Sequence, residues 1–218
     1  SAASDVYKRQ GKNEMWYVID CEPGSYLYCG LSRNATKEEI RQRIQDNTIT
    51  DILNKVEVKK GDCVFVKAGT IHAIGAGILI CEIQQNSNCT YRMYDYDRKD
   101  KFGNKRELHV DKALDVVDTR KYEPFNSGSL DSTEVQNCHT LVSCKYFECF
   151  KYDIDGECNI GVDQTSFISI VVISGSGEID ISETEEKKNF KAGESFFITA
   201  GQKNIYITGI AEVIVTRV

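Results

Sequence analysis

Residues 59–72 read KKGDCVFVKAGTIH and residues 191–204 read KAGESFFITAGQKN, and the two stretches align without a gap. Lys, Gly, Phe, Ala and Gly recur at the same offsets, Asp62 is answered by Glu194 and Val66 by Ile198. In each copy a glycine turn leads into a short apolar run and then into a second glycine turn. Glycine supplies the positive φ that such corners use, and the run between them, Cys63-Val64-Phe65-Val66 in the first copy, reads as a buried strand. A unit that recurs at long period predicts two similar β structures in one chain. The copies part at the last position, where His72 is answered by Asn204. A histidine just past a tight corner is held rigidly and can face a cavity. If a metal is bound, only the first copy keeps this ligand.

The surrounding sequence supports a mainly β fold. Strands are predicted at Met15–Ile19, Ser25–Gly30, Val56–Val58, Ile78–Gln84 and Thr90–Tyr94, with Gly75-Ala76-Gly77 as a hairpin turn before Ile78. A helix is predicted over Thr36–Gln45, capped by Asn34 or Thr36, with Glu38 and Glu39 at its positive end and Ile40 and Ile44 on one face. A helical turn is predicted over Thr48–Leu53 and a short helix over Val110–Val116. Lys121 to Gln136 holds Pro124, Gly128 and four Ser or Thr residues and reads as a linker. Beyond it come short strands and turns: Thr140–Cys144, Phe147–Tyr152, Ser166–Ile173, a Gly175-Ser176-Gly177 turn, Gly177–Ile181, Ser195–Thr199, Ile205–Thr208 and Ala211–Arg217. The expected organisation is a non-native leader at 1–10 that takes no part in the core, a first barrel over 11–120, a linker at 121–136 and a second, non-catalytic barrel over 137–218.

Charge and cysteine usage narrow the setting. A net charge of −6 with no basic block argues against nucleic acid or an anionic membrane surface as partner, and no apolar run has the length of a membrane helix. The nine cysteines contain no C-x-x-C pair, and no secretory signal is visible, so they read as reduced thiols of a cytoplasmic protein. Glu82 is a carboxylate in the middle of an apolar strand, a costly placement unless a cation, a metal or a hydroxylated ligand is near.

Four ordered motifs carry a family resemblance: GKNEMWYVID from Gly11, AGTIHAI around His72, EIQQNSNCTYRMYDYDR from Glu82 to Arg98, and RELH at 106–109. With the box at 59–72, which resembles the metal-binding box of cupin barrels with Lys67 in place of the usual proline, they resemble the short bacterial branch of type I mannose-6-phosphate isomerases. The resemblance runs from Gly11 to about Val117 and more loosely through the second barrel. It implies two jelly-roll cupin barrels and a zinc-dependent interconversion of mannose 6-phosphate and fructose 6-phosphate, a small-molecule sugar phosphate being the partner. Carried over by position, Glu14 is the carboxylate ligand of the metal and His72 the imidazole ligand. Lys12, Glu82 and Arg92 match active-site positions near the sugar. The family's other two ligands lie in a Q-x-H-P motif that this chain does not contain. The resemblance therefore implies an enzyme lacking its N-terminal segment, with an incomplete first barrel, weak zinc binding and little activity.

In that chemistry a proton moves between carbon 1 and carbon 2 through an enediol, and a divalent metal at the sugar oxygens stabilises the developing negative charge. Lys12 and Glu82 are candidate proton shuttles. Arg92 is suited to the phosphate or to the enediolate oxygen. The rival reading is a non-catalytic cupin module that binds sugar or regulates, favoured by the incomplete ligand set. A dioxygenase-type cupin would need more histidines near the box than His72, His109 and His139 supply.

Overall fold

The computed structural model describes residues 11–87, 89–96, 98–124, 137–162, 165–181, 187–201 and 204–218. In chain order the first part runs β1 (Glu14–Cys21), β2 (Tyr26–Leu31), α1 (Lys37–Gln45), a 3-10 turn (Ile49–Ile52), β3 (Leu53–Glu57), β4 (Cys63–Val66), β5 (His72–Ile74), β6 (Ile78–Gln84) and α2 (Val110–Val116). The second part is β throughout: β7 (Cys138–Ser143), β8 (Glu148–Gly161), β9 (Ile168–Ile181), β10 (Lys187–Lys191), β11 (Ser195–Ile198) and β12 (Asn204–Arg217). The chain divides into two units at Phe125 and Asn126.

In the first unit, β1 lies between β4 and β6, and β2 between β3 and β5, all antiparallel. β1 is central because its sequence, EMWYVIDC, is apolar on both faces over most of its length. Met15, Trp16, Tyr17 and Val18 are at most 3% exposed, and burying a side chain of this kind stabilises by roughly 1.5–3 kcal/mol. Trp16 and Val18 meet Leu27 and Cys29 of β2 and Val66 of β4, so the two small sheets share one apolar cluster. A second cluster gathers Leu31, Ile40, Ile44, Ile49, Ile52, Leu53 and Leu114. It forms because α1 turns Ile40 and Ile44 inward after Thr36 caps it, the threonine hydroxyl accepting from the Glu39 N–H at 3.1 Å.

In the second unit β9 and β12 run antiparallel along their whole lengths, and β8 flanks β12 on its other side. On its free side β9 pairs with β11 through Ile168–Val171 and with β10 through Ser176–Asp180. The three long strands cross a row of glycines: Gly209 stands opposite both Gly156 and Gly177, and Ala211 opposite Gly175. Gly175 has φ +81°, and a Cβ there would lie 2.0 Å from the Ile210 carbonyl oxygen. Only glycine lets the strands come this close while turning the corner.

The repeat seen in the sequence is reproduced in three dimensions. Lys59 N–H donates to Asp62 Oδ2 at 2.9 Å and Lys191 N–H to Glu194 Oε2 at 3.1 Å. Gly61 has φ 90° and Gly193 88°, and Gly69 has 86° and Gly201 95°. Val18 N–H donates to the Asp62 carbonyl and Gly61 N–H to the Val18 carbonyl, each at 2.9 Å. Val172 N–H donates to the Glu194 carbonyl and Gly193 N–H to the Val172 carbonyl, again at 2.9 Å. β4 and β11 therefore take the same place in their units, and Val18 of β1 corresponds to Val172 of β9.

Several expected boundaries change. Gly175-Ser176-Gly177 is not a turn between two strands but the corner of the single strand β9, and the strands expected at 205–208 and 211–217 are one strand, β12. Gly75-Ala76-Gly77 does not close a hairpin: β5 pairs with β2 and β6 with β1, so this turn passes the chain between sheets. Residues 90–94 form no strand. The start of the expected linker belongs to the first unit, since Lys121 bridges Leu31 and Tyr122 packs on the apolar cluster of β1 and β2. Residues 125–136, and the expected leader at 1–10, lie outside the described residues. No helix among the described residues is long and apolar enough to cross a membrane.

Candidate metal and substrate site

The strand alternation of the first unit gathers its polar residues on one wall. Glu14 and Trp16 are two residues apart on β1 and so share a face, as do Glu82 and Gln84 on β6. The register sets Glu14 opposite Gln84 and Trp16 opposite Glu82. His72 opens β5 just past the Gly69 corner. Glu14, Trp16, His72 and Glu82, with Lys12 and Arg92, line a cavity of about 380 Å³, within the size range of small-molecule sites. All five residues singled out from the sequence, Lys12, Glu14, His72, Glu82 and Arg92, thus face one space.

Glu14 is the buried member, 1% exposed. Its Oε2 accepts from the Trp16 indole N–H at 3.2 Å. Its Oε1 accepts no hydrogen bond, although the Lys12 ammonium is an ion-pair partner at 3.2 Å. His72 Nε2 approaches the same Oε1 to 3.8 Å. His72 Nδ1 lies 2.8 Å from the Thr70 carbonyl oxygen, which can only accept, so Nδ1 carries a hydrogen and Nε2 is the ring nitrogen turned toward Glu14, an acceptor in the neutral imidazole. A buried carboxylate oxygen facing an imidazole nitrogen at the cavity wall is an arrangement that a cation, here the Lys12 ammonium at 3.2 Å, stabilises and that a metal ion could share. A backbone carbonyl fixing the far nitrogen of the ring is the usual support of a metal-binding histidine. An imidazole nitrogen and a carboxylate oxygen are both donors that zinc takes. Glu14 and His72 are two such donors; among the described residues no group of three or more His, Cys, Asp or Glu is disposed to hold a metal.

Glu82 departs from the expectation of a buried carboxylate. Its side chain is 38% accessible and opens into the cavity, while Glu14 takes the buried position. Partial burial, and then the Glu14 carboxylate beside it, push the Glu82 pKa above the carboxylate range, against the pull of Lys12. The Lys12 ammonium stands between them, 3.2 Å from Glu14 Oε1 and 3.8 Å from Glu82 Oε1, and donates to Gln84 Oε1. Arg92 sits in an irregular segment pinned to residues 107–109. His109 N–H donates to its carbonyl at 2.7 Å, its own N–H donates to His109 Nδ1 at 3.3 Å, and its Nη1 donates to the Glu107 carbonyl at 3.2 Å. Further along, Arg106 grips the buried Asp95 with both arms of its guanidinium and holds that carboxyl below its usual range.

The sequence reading missed Trp16, Thr70 and Gln84. By composition Trp16 reads only as a strand former, yet Lys12, Glu14 and Trp16 at period two fall on one face. Thr70 leaves no side-chain signal, because its backbone carbonyl does the work.

In comparisons with known proteins, residues 137–218 match the family model described as mannose-6-phosphate isomerase, cupin domain. The chain is 38% identical over 207 residues to mannose-6-phosphate isomerase ManA of Bacillus subtilis, covering 95% of this chain and 64% of that protein. The chain thus spans a little under two thirds of that relative. The crystal structure of the Bacillus subtilis mannose 6-phosphate isomerase superposes with a TM-score of 0.87 at 33% identity, covering 99% of this chain and 68% of that one. A structure of mannose 6-phosphate isomerase bound with zinc and yttrium shares the fold, with a TM-score of 0.64 at 14% identity over 94% of this chain and 66% of that one.

Proposed function

This chain belongs to the mannose-6-phosphate isomerases of the cupin fold, and from that we propose that it carries the zinc-dependent, sugar-phosphate half of an aldose–ketose isomerase acting between mannose 6-phosphate and fructose 6-phosphate. The observation that carries the reading is the buried, unbonded Oε1 of Glu14 facing His72 Nε2 across 3.8 Å. Glu14 and His72 would hold the metal, with further donors from outside the described residues. The zinc found with a member of the same fold supports the choice of ion. When bound, zinc polarises a sugar carbonyl and stabilises the negative charge that develops on oxygen.

The chain's own groups divide the remaining work. Glu82, whose pKa is raised by burial and by Glu14, is the proton acceptor and donor between carbon 1 and carbon 2, since a general base works best when its pKa nears the working pH. Lys12 balances the two carboxylates and offers N–H donors to a sugar oxygen. Arg92 takes the phosphate or the enediolate oxygen with its planar fork.

None of the nine cysteines is in a disulfide, and burial pushes the Cys29 and Cys81 thiols up to about 11 and Cys63 to about 12, so these three are poor nucleophiles at neutral pH. This suits a reducing cytoplasm. The test measures zinc content and conversion of mannose 6-phosphate for this chain alone and for a version preceded by a segment carrying Q-x-H-P. The extended protein should hold one zinc and turn over, and the chain alone should bind zinc weakly. Glu14→Gln and His72→Ala should each cost the extended protein at least about tenfold in zinc affinity. Unchanged zinc and turnover in both variants would sink the assignment.

A further inference from the structure

One side chain touches both Glu14 and His72 and faces Glu82 across the sheet, without being able to ligate a metal itself. The Trp16 indole N–H donates to Glu14 Oε2 at 3.2 Å. Its ring stands edge-on to the His72 imidazole, with centroids 5.2 Å apart at 77°. In the β1–β6 pairing it lies directly opposite Glu82. The indole is 2% exposed and wedged among Val18, Leu27 and Val66, so its own position is set by packing.

An indole has a single donor and no acceptor. Bound to Oε2, it leaves Oε1 as the oxygen turned toward His72. Its ring blocks one side of the imidazole, so that rotation about the Thr70 tether is limited. In the second unit the position that corresponds to Trp16 is Ile170, by the shared register of β1 with β4 and of β9 with β11. There the position of Glu14 is held by Ile168, and carboxylate and indole are absent together.

We propose that Trp16 is the positioning residue of the metal site: it selects which Glu14 oxygen faces the ion and holds the His72 ring square to it. The proposal rests on the reading of Glu14 and His72 as metal ligands. It also makes Trp16, the one tryptophan of the chain, a built-in reporter of metal binding.

The experiment uses the full chain with zinc and cobalt(II) as probes. Cobalt should quench the tryptophan fluorescence of the wild-type chain in step with binding, and His72→Ala should shift that titration to higher cobalt. Trp16→Phe keeps a ring beside His72 but loses the N–H. It should bind zinc roughly 10–100-fold more weakly in competition with a chelating dye and alter the absorption bands of bound cobalt, beyond whatever the smaller ring costs the melting temperature of the metal-free protein. Zinc affinity in Trp16→Phe equal to wild type, while Glu14→Gln loses it, would overturn the proposal and leave the ligand assignment standing. Loss of metal-free stability in Trp16→Phe with unaltered zinc affinity and cobalt bands would likewise overturn it, as a purely structural role. If Trp16→Phe does not fold, the wild-type titration decides: saturating cobalt with no quenching overturns the proposal. Equal zinc binding by wild type, Glu14→Gln and His72→Ala would remove both the ligand assignment and this proposal.

Discussion

The two units share a frame and differ in what they hang on it. Across β1, β4 and β6 the register places Glu14, Trp16 and Glu82 where β9, β11 and β12 place Ile168, Ile170 and Val215. His72, the first residue of β5, is answered by Asn204, the first of β12. The corner bonds that build the two frames agree to within about 0.2 Å. What changes is the interior. The second unit fills it with Ile154, Ile160, Ile168, Ile170, Val213, Val215 and their neighbours, whereas the first keeps a cavity walled by charge. A buried carboxylate costs stability unless a cation meets it, so the apolar copy shows what the frame does for stability alone, while the charged copy holds Glu14 at the same place with the Lys12 ammonium 3.2 Å away.

The sharpest way to break this comparison is to exchange the residues. Ile168→Glu places a carboxylate in an apolar cluster with no cation built for it. It should destabilise the second unit by about 3–5 kcal/mol, read as a loss of β signal in urea melts followed by circular dichroism. The reverse change, Glu14→Ile, should abolish zinc binding and cost metal-free stability less, about 1–3 kcal/mol, since the Trp16 N–H loses its acceptor while Lys12 keeps Glu82 and Gln84 as partners. Equal penalties for both exchanges would mean that Glu14 is structural. Next in size is Gly175→Ala, where φ is +81° and the new Cβ would meet the Ile210 carbonyl oxygen at 2.0 Å. A loss of roughly 2–4 kcal/mol is expected, and a neutral result would refute the glycine corner.

Gly61→Ala and Gly193→Ala sharpen the comparison by predicted equality. Both glycines have φ near +90° with nothing within 4 Å of an added Cβ, so each should cost about 1 kcal/mol. A clear difference between them would show that the two corners are not under the same constraint. The smallest effect is one of pH. The folded pKa of Glu82 is raised above its ordinary 4.5, so the fold favours the protonated form. That advantage is present below the ordinary pKa and is lost as pH rises through the raised one. Metal-free Glu82→Gln should therefore be more stable than wild type above this window and lose that advantage below it. Melting temperatures at several pH values in the presence of a chelator would check the sign.

Much of this could be read from residue order because strands write their facing into alternate positions. The glycine corners, β1, β4, β6 and the pairing of Glu14 with His72 were all legible, the last two residues through motif resemblance. The failures share one physical cause: local sequence does not say which neighbour a segment will find. Thr90–Tyr94 has strand-forming side chains but no strand beside it, and its Arg92 backbone bonds to His109 instead. Gly175-Ser176-Gly177 looks like a turn, yet β12 runs along one side of it and holds it in the sheet. Glu82 was expected to be buried because its sequence neighbours are apolar, but alternation turns it toward the cavity. Trp16 passed for ordinary core because an indole that also donates a hydrogen bond is spelled the same way.

The corner itself has a consequence for motion. In the second unit the chain crosses it inside β9 and β12, so the ladder is continuous from end to end. In the first unit the same passage is cut twice, at 22–25 and at 75–77, and the cut ends are tied to each other. Glu22 N–H donates to the Gly77 carbonyl at 2.8 Å, and the Ser25 hydroxyl donates to the Ala76 carbonyl at 3.1 Å. A continuous band opens all at once, whereas two short sheets joined by turns can exchange their amide hydrogens as separate cooperative pieces, each at a lower free energy than global unfolding. The half of the molecule that carries the carboxylates is therefore hinged where its twin is seamless, and slow hydrogen exchange should last longest in β9 and β12.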